Sequence, residues 1–297
     1  MQALATRIKY VLLLLIVNAS LPVFACENPK NCRDNEYVEN NSWEFGVAIG
    51  AGVRTNPLSG GDDIPLVLIP DIAWYGDNAY FDNGELGYQW VQSNDFALET
   101  FIEINRERAF FSFWHPENIF VNSNFIEGSF PASPQDDRQN ILSSTPITVE
   151  NVAKRRWAVD AGIRAHKYFD HTEFNVALFY DVSGTYDGGH LEANYYYRWQ
   201  IPKWAFSVNT RVTWKSESLI DYYYGVSLMD TNSFDLLYSG ESTVNVGLYA
   251  KASRTINENW QWLIMASTEW LGDGMTDSPI VVESEINTVF VGLAYRF

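Results

Sequence analysis

Four histidines, His115, His166, His171 and His190, are the first place to look for chemistry in this chain. His190 closes the phrase "DVSGTYDGGH", within a few residues of Asp181, Ser183 and Asp187. A serine, an imidazole and a carboxylate are the groups of a nucleophile, its base and an orienting acid. No spacing in the phrase enforces that geometry, so a polar hairpin outside the membrane is the preferred reading and a rim-located hydrolase the lesser one. The histidines have no i, i+4 helical spacing and no cysteine partners at zinc spacing, so no metal site is expected. The glycine-rich "GAGVRTNPLSGG" does not open a helix as a phosphate-binding loop does. The chain is therefore read as non-enzymatic and without a cofactor.

The two cysteines, Cys26 and Cys32, stand close together in "CENPKNC". In an oxidising compartment they suit a small disulfide-closed loop. The preceding "VFA" also leaves open a lipidated Cys26, which would consume the sulfur and exclude the disulfide. Both alternatives place the mature chain outside the cytoplasm. Arg7 and Lys9 precede the apolar run "YVLLLLIV", and Val23 to Ala25 supply a cleavable end, so residues 1–25 read as a signal peptide. Its apolar core is shorter than the roughly 20 residues that span a bilayer.

Beyond that leader no apolar stretch is long enough for a transmembrane helix, yet the chain is 46% hydrophobic with 11 Trp, 17 Tyr and 18 Phe. A membrane protein without transmembrane helices must be a closed barrel, because only closure pairs every backbone group in lipid. The formal charge is -17, and loss of Arg7 and Lys9 with the leader makes it -19, which argues against a nucleic-acid partner.

The elements that would position the charged groups are strands of period two. In "WAFSVNTRVTWK", Trp204, Phe206, Val208, Thr210, Val212 and Trp214 oppose Ala205, Ser207, Asn209, Arg211, Thr213 and Lys215. The segments around "WEFGVAIGAGVR", "WAVDAGIRAH", "FNVALFYDVS" and "LEANYYYRWQ" segregate their charges in the same way. A Lys or Arg facing lipid at the midplane costs roughly 2 to 4 kcal/mol, so a bilayer enforces such segregation. A soluble sandwich would alternate too, but it leaves the paired Trp204 and Trp214, and Trp260 and Trp270, without a reason. Ten residues of tilted strand match two aromatic girdles about 25 Å apart. The final strand carries Val289, Val291, Leu293, Tyr295 and Phe297 on its outward face and runs to the last residue. It is read as the strand that closes the barrel, and resemblance to outer-membrane barrels in general implies that its terminal aromatic is the label read by the insertion machinery.

Candidate strands fall near 43–54, 65–75, 79–91, 95–107, 155–167, 172–184, 190–201, 204–216, 241–254, 258–270 and 286–297. That number is odd, whereas single-chain bacterial barrels have even numbers and both termini in the periplasm. A further strand is therefore expected in "AFFSFWHPENIFV" (109–121). The expected fold is an all-β transmembrane antiparallel β-barrel of about 12 strands, with 10 as the fallback. Its organisation is a signal peptide at 1–25, a short periplasmic segment at 26–42, and an outer-membrane barrel at 43–297 with long outer loops near 111–153 and 217–240. The lumen would hold Glu99, Glu103, Asp160, Asp181, Glu192 and Glu269 with Arg164, Arg198, Arg211, Lys215, Lys251 and Arg296. Mixed signs at that density suggest salt bridges filling a narrow bore.

Several phrases resemble the MipA/OmpV family of outer-membrane proteins, named for the MltA-interacting protein. They are "IPLVLIPDIAWYGDNAYFDNGELGY", "DVSGTYDGGH", "YYYGVSL", "LGDGMTDSPIV" and the closing "VGLAYRF". The chain departs from the family pattern in its insertion at about 111–150 and in its cysteine pair. The resemblance implies a Gram-negative outer-membrane barrel that acts as a scaffold for murein (peptidoglycan) enzymes, a transglycosylase and a synthase. A narrow pore or transporter for small solutes is the alternative. The partners so implied are outer-membrane lipid and lipopolysaccharide, the barrel insertion machinery and those murein enzymes. No binding residue is assigned at this level.

Overall fold

The computed structural model describes residues 41–112, 115, 118 and 147–297. The leader expected at 1–25, nearly all of the segment 26–42, both cysteines and most of the 111–150 insertion lie outside the described residues.

Twelve antiparallel strands close into one barrel. In chain order they are β1 (Ser42–Arg54), β2 (Ile64–Tyr75), β3 (Ala79–Asp82), β4 (Glu85–Gln92), β5 (Phe96–Ile104) and β6 (Val159–Tyr168), then β7 (Thr172–Asp181), β8 (Gly189–Ile201), β9 (Trp204–Lys215), β10 (Thr243–Thr255), β11 (Trp260–Trp270) and β12 (Glu285–Arg296). β12 pairs with β1 from Gly46↔Arg296 to Arg54↔Thr288, which completes the ring. Phe297 extends that seam, its N–H donating to the Phe45 carbonyl at 2.9 Å. Closure satisfies backbone groups that lipid cannot.

The alternation is the one the sequence displays. On β9, Asn209, Thr213 and Lys215 are buried inside while Val212 and Trp214 are exposed outside. On β12, Thr288, Phe290 and Ala294 are buried and Val289 and Val291 exposed. Aromatic rings cluster at the outward periplasmic rim, as with Trp43 on Phe45 at 6.1 Å and Trp260 on Tyr295 at 4.8 Å.

Strand number is twelve, but the twelfth strand is not where the sequence reading put it. β5 pairs directly with β6, from Phe96↔Lys167 to Ile104↔Val159, leaving no place between them for a strand at 109–121. The described start of that segment lies in a 3-10 turn, Arg106–Phe111. Instead, the run read as one strand at 79–91 folds back on itself as the β3–β4 hairpin. Its corner is Asn83 and Gly84, both with positive φ, 46° and 104°. An Asn-Gly pair is a strong local signal for the tight hairpin turn that needs two positive φ values. Unbroken alternation on both sides of it hid the fold-back.

The strand ends sort the connections. Turns 76–78, 93–95, 169–171, 202–203 and 256–259 are short and lie at the end that carries Ser42 and Arg296. Connections 55–63, 105–158, 182–188, 216–242 and 271–284 lie at the other end and include the long ones. For a bacterial barrel the short turns are periplasmic and the long loops external.

One sector of the lumen is apolar. Ala48, Ile64, Leu66, Ile69, Leu263, Met265, Phe290 and Ala294 pack together inside β1, β2, β11 and β12. The Phe290 ring lies across Gly50 and Gly292, and a Cβ on Gly50 would press on that ring and on the Val291 carbonyl. Glycine is needed there for close approach rather than for a turn.

Candidate functional site

An apolar cap fills the outer mouth, and below it a charged network surrounds a cavity open to the periplasm.

The cap is built by the long connections. α1 (Glu217–Tyr224) follows β9, with Ser216 as N-cap, its Oγ accepting from the Leu219 N–H. Leu219, Ile220, Tyr223 and Tyr224 recur at helical spacing and are fully buried. They pack with Leu58, Phe110, Val152, Tyr186, Val226 and Met275, which together represent all five outer connections, and with Ile280 and Val281 beyond the short helix α2 (Asp273–Thr276). Gly240 returns the β9–β10 connection onto α1, where a Cβ would meet the Asp221 backbone. Its N–H donates to Asp221 Oδ1 at 2.8 Å. Burial and the Glu107 carboxylate push the Tyr224 phenol up. That phenol donates to Glu107 Oε2, while Lys215 Nζ donates to Glu107 Oε1 at 2.6 Å. These contacts tie α1, the 3-10 turn and β9 together below the cap.

The phrase "DVSGTYDGGH" has a structural explanation. The Asp181 carboxylate accepts from the backbone N–H groups of Ser183, Thr185, Tyr186 and Asp187 and from Ser183 Oγ at 2.6 Å. It organises the β7–β8 loop so that Tyr186 reaches inward and donates to Asp160 Oδ1 at 2.7 Å. His190 instead stacks on Phe179, with centroids 4.0 Å apart. Among the described residues no hydrogen bond joins His190 to Ser183, Asp181 or Asp187, so the structure does not assemble the relay that their proximity in sequence suggested. Nor do the described residues contain three His, Cys, Asp or Glu side chains placed to hold a metal ion. His115 stacks on Trp157 at 4.8 Å within the outer loops. Burial first, then the charges of Arg108 and Arg54, push its imidazole down to about 3.

In the lumen, five strands carry one chain of charges. Arg164 on β6 forks onto both oxygens of Glu85 at 3.0 and 2.7 Å and reaches Glu99 at 2.7 Å. His166, two residues along β6, lies 3.2 Å from Glu99 and 2.9 Å from Glu173. Arg198 on β8 closes the series on Glu173 at 2.9 Å. The fork fixes Arg164 in two directions, and its guanidinium also lies 4.2 Å from the centroid of the Phe101 ring. A second group joins Arg211 to Glu192 at 3.5 Å and to Asn194 Oδ1 at 3.0 Å.

The lumen charges read from alternation, among them Glu99, Glu103, Asp160, Glu192, Arg164 and Arg211, do line the interior. His166, on the polar side of "WAVDAGIRAH", joins them, whereas Glu85, Glu107, Glu173 and Arg106 face the interior without having been read from alternation. Period two extended by one residue would have revealed Glu173. Glu85 required knowledge of the hairpin, and Glu107 and Arg106 sit on a 3-10 turn that has no strand period.

These networks form part of the wall of a cavity of about 970 Å³, which residues from the periplasmic halves of the strands and the short turns also line. It reaches inward to Glu192, Asn194 and Arg211.

Twelve closed strands, an apolar outer band and a polar lumen define an outer-membrane β-barrel, and this one has its external mouth filled by its own loops. Residues 47–297 match the family described as MltA-interacting protein MipA, and the chain belongs to that family. It is 23% identical to the MltA-interacting protein of Escherichia coli (strain K12) over 86% of this chain and 90% of that one. It is 22% identical to outer membrane protein Omp26La of Vibrio anguillarum over 50% of this chain and 58% of that one. Among solved structures it is similar to the COG4313 outer membrane channel from Pseudomonas putida F1, with a TM-score of 0.44 and 11% identity over 89% of this chain and 98% of that one.

Proposed function

We propose that this protein is a non-enzymatic outer-membrane scaffold whose periplasmic rim holds an enzyme of murein turnover. The observation that carries the reading is the asymmetry of the barrel. Its external mouth is filled by the apolar cap, while its periplasmic mouth opens on a charged cavity. A partner reaching the barrel from the periplasm meets an open polar rim. The name of the Escherichia coli relative, an MltA-interacting protein, points the same way and suggests a murein transglycosylase as the partner. Crosslinking in intact cells followed by affinity purification tests this. Recovery of a transglycosylase or synthase is expected, and a barrel that retrieves neither above the level of an unrelated barrel overturns it.

A narrow solute path is the second reading, favoured by the depth of the cavity. It predicts reproducible single-channel steps in a planar bilayer, and a silent barrel excludes it.

The seam strand β12 has its own proposed role. Its outward set, Val289, Val291, Leu293, Tyr295 and the terminal Phe297, is the segment read by the insertion machinery. Deleting Phe297 is expected to lower the amount of heat-modifiable barrel in the membrane, and an unchanged amount overturns that role.

A further inference from the structure

Charge is distributed unevenly around the periplasmic cavity. Its β1–β3 side carries Glu44, Asp71 and Asp82, and its β9, β10 and β12 side carries Arg211, Lys251 and Arg296. Several of these are neutralised within the wall: Glu44 lies 3.7 Å from Arg296, and Arg211 lies 3.5 Å from Glu192. Two are not. Lys251 makes no hydrogen bond or ion pair among the described residues; its neighbours across the ladder are Ser207 and Met265. Asp71 accepts one hydrogen bond, from Asn83 Nδ2 at 2.9 Å, and meets no cation among the described residues.

Asn83 is the corner of the β3–β4 hairpin, and it is fixed in turn by accepting from the Ile72 N–H at 2.8 Å. Asp71 is therefore held in position by an amide that leaves its charge uncompensated. Both side chains are half-buried on the wall of the open cavity, where a ligand of opposite charge can replace water against them.

The two groups stand at one depth. Asp71 is four residues from the periplasmic end of β2, and Lys251 four residues from that of β10. Four steps of the sheet separate the strands, through β1, β12 and β11. For twelve tilted strands spaced about 4.8 Å apart, that places the two backbones roughly 20 Å apart across the lumen. The Asp71 side chain reaches about 3 Å inward and the Lys251 side chain about 3 to 6 Å according to its rotamer, which leaves about 11 to 14 Å; less two contacts of about 2.8 Å, that takes a ligand of two to three extended residues.

We propose that this cavity binds a short zwitterionic peptide, its terminal ammonium on Asp71 and its terminal carboxylate on Lys251. Each contact is a charge-assisted hydrogen bond to a group that is otherwise uncompensated, so both termini of the ligand are recognised and its side chains are not. The site is independent of which protein docks on the rim.

The test is isothermal titration of the full chain in detergent micelles with trialanine, N-acetyl-trialanine and trialanine amide. Trialanine is expected to bind, and each blocked form to bind at least about tenfold more weakly. Lys251→Met should abolish the distinction between trialanine and its amide while keeping that between trialanine and its N-acetyl form. Asp71→Asn should do the reverse, and Asn at 71 can still accept from Asn83. Such a crossed pattern does not arise from a misfolded barrel, and heat-modifiability on gels verifies folding of both variants. Absence of trialanine binding at millimolar concentration, equal affinity for all three peptides, or the same loss in both variants overturns the proposal.

Discussion

The outer cap and the charged lumen below it are both buried and both filled by side chains, yet they are held by different forces. In the cap, Leu219, Ile220, Tyr223 and Tyr224 meet residues of other loops through apolar contact, with the Tyr224 phenol donating to Glu107. In the lumen, Arg164, Glu85, Glu99, His166, Glu173 and Arg198 hold one another through charge, each group placed by a rigid strand. Apolar contact is non-directional and tolerates the irregular backbone of loops. Paired charges need fixed geometry, because the desolvation cost of each ion is recovered only at short, well-aligned distances. Irregular loops therefore make the seal and regular strands make the polar interior.

If that division is right, the largest single effect belongs to the lumen. Arg164→Met leaves Glu85 and Glu99 buried without their common cation and is expected to cost about 3 to 5 kcal/mol in urea unfolding from micelles. The cap should keep its protease resistance at low urea, and its simultaneous loss would show that the two layers are one cooperative unit.

Next in size is the cap itself. Leu219→Ala empties a fully buried site and is expected to cost about 2 to 5 kcal/mol, felt first as faster proteolysis of the outer loops. If single-channel steps then appear where the parent barrel is silent, the cap is the barrier. If none appear, the salt-bridged lumen closes the bore by itself.

Gly50→Val probes the apolar sector of the lumen, apart from both cap and charged network. The added side chain has to displace the Phe290 ring and shift the Val291–Gly292 backbone, at a cost of about 1 to 3 kcal/mol, read as a lower temperature of the heat-modifiable transition.

Acid should separate the layers by mechanism. His115 in the outer loops is held neutral, with its imidazole at about 3 against an ordinary value of 6.5. The unfolded chain thus binds the extra proton at higher pH than the folded one. This contribution to stability is complete above pH 6.5 and is lost as pH falls from 6.5 toward 3. Loop proteolysis should accelerate in acid, and His115→Gln should remove that part of the slope. The smallest effect is expected at the periplasmic rim, where Lys167 and Asp95 pair at 2.6 Å in the open. Lys167→Ala should leave the unfolding midpoint unchanged.

Much of the barrel is legible in the sequence because period-two alternation is a property of the backbone itself. Val212 and Trp214 had to face out if Thr213 and Lys215 faced in, whatever the rest of the chain did. The even strand number and the position of the short turns followed from closure in lipid. What misled was a local signal overridden by a longer one: Asn83-Gly84 marks a hairpin, but alternation runs unbroken up to it and away from it. The missing strand was consequently sought in 109–121, where β5 and β6 leave no room for it.

The candidate site divides along the same line. That Arg164, Glu99 and Glu192 line a lumen is written in their spacing along single strands. That Arg164 meets Glu85, that Lys215 crosses to Glu107, and that Asp71 and Lys251 are left uncompensated at one depth are outcomes of register and closure, which join residues far apart in the chain. The cap belongs wholly to the second kind. Its residues come from separate loops with no common period, and only the closed barrel brings those loops to one mouth, where their apolar faces have nothing else to bury against.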